Sequence, residues 1–183
     1  MTTYVVLMRG INVGGQNKLS MGALKAWLEE LGYTNVATYL ASGNVILNSS
    51  KSASALARAI ETELPKRFKL DSDLVKVLAL SAATFKAMMK GRPIGFGDEP
   101  GKYHSDAIFL MDITMAEALK AFDPREGVDE LWPGKGVIYH RRLSARRTQT
   151  RLNKMMATPA YKSMTIRSWQ TAMKLSEMLH ART

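Results

Sequence analysis

The chain has 183 residues, 46% of them hydrophobic and 23% charged, with no cysteine and a formal net charge of +10. The absence of cysteine excludes disulfides, thiolate zinc sites and a cysteine nucleophile, and fits a reducing compartment. No apolar run approaches the roughly 18 residues needed to span a bilayer, and no basic region followed by a long apolar stretch opens the chain, so a cytoplasmic globular protein is expected.

Tyr4 to Met8 is β-branched and apolar, the pattern of a buried strand. After a glycine-rich stretch, Ser20 is placed to cap a helix. Met21, Leu24, Leu28 and Leu31 give that helix one apolar face, and Gly32 ends it. Val36–Leu40 and Val45–Leu47 flank Ala41-Ser42-Gly43-Asn44, a hairpin connection. Ser52 or Ser54 opens a second helix, with Leu56, Ile60 and Leu64 at i+4 spacing, which Pro65 stops or kinks. Leu74–Leu80 reads as a fourth strand, completing the order β-α-β-β-α-β.

A helix over Ala82–Lys90 and a Gly/Pro-rich passage, Gly91–Gly101, link this half to the next. The order then recurs. Ala107–Met111 is a strand and Thr114–Phe122 a helix. Val128–Trp132 and Val137–His140 are strands around the turn Pro133-Gly134-Lys135-Gly136. Thr148–Met156 is a helix, Met164–Ile166 a short strand, and a last helix carries Trp169, Ala172, Met173 and Leu179 on one stripe. The expected fold class is α+β: tandem ferredoxin-like halves, residues 1–80 and 81–183, with antiparallel sheets and an extra C-terminal helix.

Between the first strand and helix lies Arg9-Gly-Ile-Asn-Val-Gly-Gly-Gln-Asn-Lys18. Gly14 and Gly15 allow backbone N–H groups to approach an anion, and Lys18 adds charge near a helix start. The segment is not a Walker A loop, which needs glycine at Asn17 and Ser or Thr at Leu19, and its glycine spacing is not G-x-G-x-x-G. Two readings stand: an anion-accepting turn, or a tight connection whose glycines and asparagines adopt left-handed conformations.

The segment Leu7-Met-Arg-Gly-Ile-Asn-Val-Gly-Gly-Gln-Asn-Lys18 and Thr38-Tyr-Leu-Ala-Ser-Gly-Asn-Val45 together resemble the opening signature of the bacterial family known as domain of unknown function 1697. Thr165-Ile-Arg-Ser-Trp-Gln-Thr-Ala-Met-Lys-Leu175 resembles that family's closing motif. Ser168 stands where the family usually has Asn. An Arg-rich run, Arg142-Leu-Ser-Ala-Arg-Arg-Thr-Gln-Thr-Arg-Leu152, stands where many members have a glycine-containing turn before Ser-Lys-Leu. The resemblance implies a duplicated ferredoxin-like fold and supplies no activity, cofactor or catalytic residue.

Charge is segregated along the chain. Through Glu130 there are 15 basic and 15 acidic residues, whereas Leu131–Thr183 holds 11 basic residues and one acid, Glu177. Arg147, Arg151 and Lys154 share one face of the helix expected there. An arginine-rich cluster suits bidentate contacts to phosphate, and such a field favours an anionic partner. Tyr139 and Tyr161 stand near the cluster, but the aromatic signature of RNA-binding ferredoxin-like domains is missing.

Catalytic patterns are sparse. Of the three histidines, His104 joins Asp98, Glu99 and Asp106 in the only His/acid cluster, which reads as a solvated loop rather than a metal site. The expected ligand-binding residues are Arg9, Asn12, Gly14, Gly15, Lys18, Ser42 and Asn44 in the first half, with Arg146, Arg147, Arg151 and Arg167 in the second. They are expected to receive an anionic, phosphate-bearing small molecule between the halves. A nucleic acid on the basic C-terminal quarter and an acidic protein partner are the alternatives. No metal, cofactor, reaction type or oligomeric state is specified.

Overall fold

A computed structural model describes residues 1–72 and 75–182, which form eight strands, six α-helices and two 3₁₀ segments. Two compact units emerge: Met1–Lys86 together with the residues from Glu177 onward, and Ala87–Ser176.

The first unit begins with β1 (Thr2–Arg9), α1 (Met21–Glu30), β2 (Thr34–Tyr39) and β3 (Asn44–Ser49). It continues with α2 (Ala53–Arg67), β4 (Lys76–Ser81) and α3 (Ala82–Lys90), whose last residues belong to the second unit. Its sheet is antiparallel, in the order β2-β3-β1-β4. Period-2 alternation turns Tyr4, Val6 and Met8 towards the helices, where they pack with Leu24, Leu28, Leu56 and Ile60. Ser20 caps α1 by accepting from the Ala23 amide, and Ser52 rather than Ser54 caps α2. Pro65 does not stop α2, which continues to Arg67. The proline lies in the final turn, where its missing N–H removes one bond and the Phe68 amide still reaches the Leu64 carbonyl. Of the strand expected from Leu74, Lys76–Leu80 is in β4, Val75 precedes it, and Leu74 lies outside the described residues.

The second unit contains β5 (Tyr103–Leu110), α4 (Met115–Leu119), β6 (Asp129–Pro133), β7 (Val137–Leu143), α5 (Leu152–Met156), β8 (Met164–Ser168) and α6 (Trp169–His180, which ends in the first unit). Its strands are also antiparallel, in the order β6-β7-β5-β8. The molecule is thus an α+β protein with two four-stranded antiparallel sheets. A Thr114/Glu117 capping box starts α4, which stops at Leu119 rather than Phe122. Ser168 accepts a hydrogen bond from the Thr171 amide at 3.2 Å, so the side chain that replaces the usual Asn caps α6. On α6 the buried stripe is Trp169, Ala172, Leu175 and Leu179, while Met173 is exposed.

The sheet has two differently covered faces. On one, Phe96 from the Gly91–Gly101 passage makes edge contacts with Trp132, Tyr139 and Trp169 at centroid distances of 5.1–6.0 Å. On the other, Ile108, Ile138 and Met164 pack against Ala118, Leu152 and Met155.

The expected helix Thr148–Met156 is not continuous. Ser144–Gln149 is a 3₁₀ segment with non-helical backbone angles at Arg146, and α5 begins only at Leu152. The Thr150 hydroxyl explains the break: it donates to Asp129 and accepts from the Leu152 amide. Arg147, Arg151 and Lys154 therefore do not form a single helical stripe. Among the described residues no helix is long and apolar enough to cross a membrane.

Candidate functional site

A cavity of about 790 Å³ opens within the second unit, beside the end of the sheet where β5 begins and β7 ends. This volume is in the range of small-molecule sites. Strand alternation supplies one wall. His104 and Asp106 on β5 lie opposite Arg142 and His140 on β7, so four polar side chains share a face that becomes apolar at Ile108 and Ile138. Asp129 on β6 pairs in register with Arg142 and extends the row. The 3₁₀ segment supplies the rim, with Ser144, Arg147 and Thr148.

Asp106 is the hub. Its side chain is only 6% exposed, yet Arg142 Nη1 donates to Oδ2 at 2.6 Å and His104 Nε2 lies 3.1 Å from Oδ1. Burial opposes its ionisation, but the neighbouring His140 ring, Arg142 and His104 together outweigh it and hold the carboxyl below the usual carboxylate range. An ionised carboxylate only accepts, so His104 carries its proton on Nε2 and keeps Nδ1 for another partner. The half-exposed imidazole lines the cavity beside Asp106.

Asp129 holds the rim in place. It accepts from the Arg125 and Arg151 amides at 3.0 and 2.9 Å, from the Thr150 hydroxyl, and from His140 Nε2 at 3.3 Å. Burial again opposes ionisation, and the bonds from Arg151, Thr150, Arg125 and His140 reverse it, so this carboxyl too lies below the ordinary range. The buried His140 ring bridges the two carboxylates. Its Nδ1 faces Asp106 Oδ2 at 3.7 Å and has no hydrogen-bond partner.

The basic quarter is partly neutralised by acids from earlier in the chain. Arg151 and Lys154 pair with Asp123, Arg141 with Glu130, and Arg142 with Asp106. Arg141 also lies over the rings of Tyr103 and Trp132, at 4.0 and 5.1 Å. Arg167 is buried and donates to the Thr165 hydroxyl and the Ile166 carbonyl. Burial lowers its pKa to about 10. Arg146 and Arg147 are exposed and make no ion pair among the described residues. Of the four arginines expected to bind ligand, only Arg147 lines this cavity.

The glycine-rich turn belongs to the first unit and is organised around two asparagines. Asn12 donates to the Leu19 and Ala41 carbonyls and accepts from the Leu19 amide. The buried Asn17 donates to the Gly10 carbonyl and the Ser72 hydroxyl and accepts from the Asp71 and Ser72 amides. Both asparagines have positive φ, 51° and 46°, as do Gly14 and Gly15 at the exposed tip. Lys18 is exposed, and Arg9 ends β1. Ser42 accepts from Asn44, whose side chain also donates to the Tyr39 carbonyl and closes the β2–β3 connection. The seven expected ligand residues of the first half thus cluster around two linked loops, and the other four lie in the second unit.

The row around Asp106 was hidden by short strand boundaries. With β5 taken to start at Ala107 and β7 to end at His140, His104 and Asp106 read as loop residues. The usable signal was spacing: His104-x-Asp106 and His140-x-Arg142 each place two polar groups on one face of an extended strand. Among the described residues no cluster of three or more His, Asp or Glu side chains is arranged to hold a metal ion.

The profile of a family described as protein of unknown function, DUF1697, matches residues 1–139. A solved structure, the conserved bacterial protein SP0830 from Streptococcus pneumoniae, is 28% identical, with a TM-score of 0.81 over 97% of this chain and 98% of that chain. No protein with a curated description matches the chain.

Proposed function

We propose, from the premise that the chain belongs to the DUF1697 family, that it is a cytoplasmic protein that binds a phosphate-bearing anion in the cavity of its second unit. The observation that carries this reading is Arg147, a cavity-lining guanidinium with no ion pair among the described residues, on the same rim as Ser144 and Thr148. A guanidinium with neighbouring hydroxyls suits the geometry of phosphate oxygens. Asp106 faces the same space, but Arg142 and His104 already engage its charge. The repeated strand orders are those of split β-α-β folds, so we read each unit as ferredoxin-like.

Nucleic-acid binding is less well supported. Arg141, Arg142, Arg151 and Lys154, on which it depends, already face carboxylates. A thermal-shift series with inorganic phosphate, pyrophosphate and a short RNA tests the reading. A bound anion at 100 times its dissociation constant stabilises the fold by about 2.7 kcal/mol. The expected result is stabilisation by the small anions that Arg147→Ala abolishes. Stabilisation by RNA alone, lost on raising the salt, reverses the ranking.

A further inference from the structure

The cavity has a second wall that phosphate binding does not use. Leu152 and Met156 are four residues apart on α5 and so share a face, and both line the space together with Tyr161 and Ile166. Leu152 belongs to the apolar cluster under the helices, and Tyr161 and Ile166 pack against it from the fringe. Met156 is 40% exposed. The core of the second unit is thus open to the cavity on one side, while Ser144, Arg147 and Thr148 edge the other.

An inorganic anion would use the polar rim and leave the apolar wall in water. A ligand that joins a phosphate to a flat apolar ring uses both, and a thioether side chain beside an aromatic one makes a compliant, polarisable surface for such a ring. The volume of about 790 Å³ accommodates a molecule of mononucleotide size. We infer that the ligand of this site is a phosphate monoester that carries an aromatic ring, its phosphate on Arg147 and its ring against Met156 and Tyr161. The inference rests on the anion-binding reading above and adds the chemistry of the rest of the molecule. Nucleoside monophosphates and simple aryl phosphates share this chemistry, so both serve as probes.

Calorimetric titration of the whole chain with inorganic phosphate, phenyl phosphate and adenosine monophosphate tests it. Phenyl phosphate is expected to bind at least tenfold more tightly than inorganic phosphate, as burial of a ring requires. Adenosine monophosphate binding more tightly still identifies the nucleotide source, and phenyl phosphate binding more tightly than the nucleotide identifies a smaller aryl ester. Met156→Ser, at a partly exposed position that does not endanger folding, is expected to weaken both aromatic ligands several-fold and leave inorganic phosphate unchanged. Arg147→Ala is expected to weaken all three. Equal affinity for phosphate and phenyl phosphate, or a Met156→Ser effect shared by all three ligands, overturns this inference while leaving anion binding intact. Silence with all three ligands removes the anion-binding reading and this inference with it.

Discussion

The glycine-rich turn of the first unit and the arginine segment of the second are both polar loops, yet they use their polar groups in opposite ways. In the turn, Asn12 and Asn17 commit their amides to backbone groups of the loop itself and of neighbouring segments. In the arginine segment, Asp129 from a neighbouring strand makes the structural bonds, and Arg147 keeps its donors for solvent or ligand. Residue type alone does not separate a binding loop from a structural one; the use of each donor and acceptor does.

Substitutions at the two loops should therefore separate stability from binding. The largest loss of stability is expected for Gly43→Ala, where φ is 74° and an added Cβ would lie 2.7 Å from Met8 Cβ and 2.9 Å from Ile11 Cδ1. Strain and overpacking together cost about 3 kcal/mol, measurable by urea unfolding. Asn17→Ala leaves two amides and a carbonyl without their partner and costs about 2 kcal/mol. Both variants should keep phosphate affinity once folded, and a large loss of affinity would break the comparison. Asp129→Asn, which keeps shape but weakens the charge-assisted bonds from Thr150 and Arg151, costs about 1–2 kcal/mol and should also weaken phosphate binding.

Acid titration gives a smaller and more graded effect. Asp106 and Asp129 both have native pKa values below the reference value of 3.8. Groups depressed in this way contribute stability that is complete above the unfolded value and lost as the pH falls through the native one. Unfolding free energy should therefore decline below about pH 4, less steeply in Asp106→Asn. Least of all is expected from Asp123→Ala, which removes an exposed acid from the Arg151–Lys154 pair and should leave the thermal midpoint in place.

Apolar periodicity made the order of strands and helices legible. The buried run Tyr4–Met8 and the Leu56/Ile60/Leu64 repeat are set by local pattern, and tertiary structure kept them. The 3₁₀ break at Ser144–Gln149 was not legible, because it depends on a bond from Thr150 to Asp129, 21 residues away in sequence. Which of the basic residues are paired was not legible for the same reason. Leu131–Thr183 contains one acid, but folding brings Asp106, Asp123 and Glu130 to its arginines, so a linear surplus became a smaller set of free cations. The cavity row around Asp106 depends on strand register, which a single sequence specifies only once its strand ends are known.

Amide chemical shifts recorded during a titration with inorganic phosphate test the central assignment most directly, because they report where the anion sits. The account predicts progressive shifts at Ser144, Arg147 and Thr148, with Gly14, Gly15 and Lys18 unmoved. Shifts confined to the glycine turn, with the arginine segment silent, contradict it.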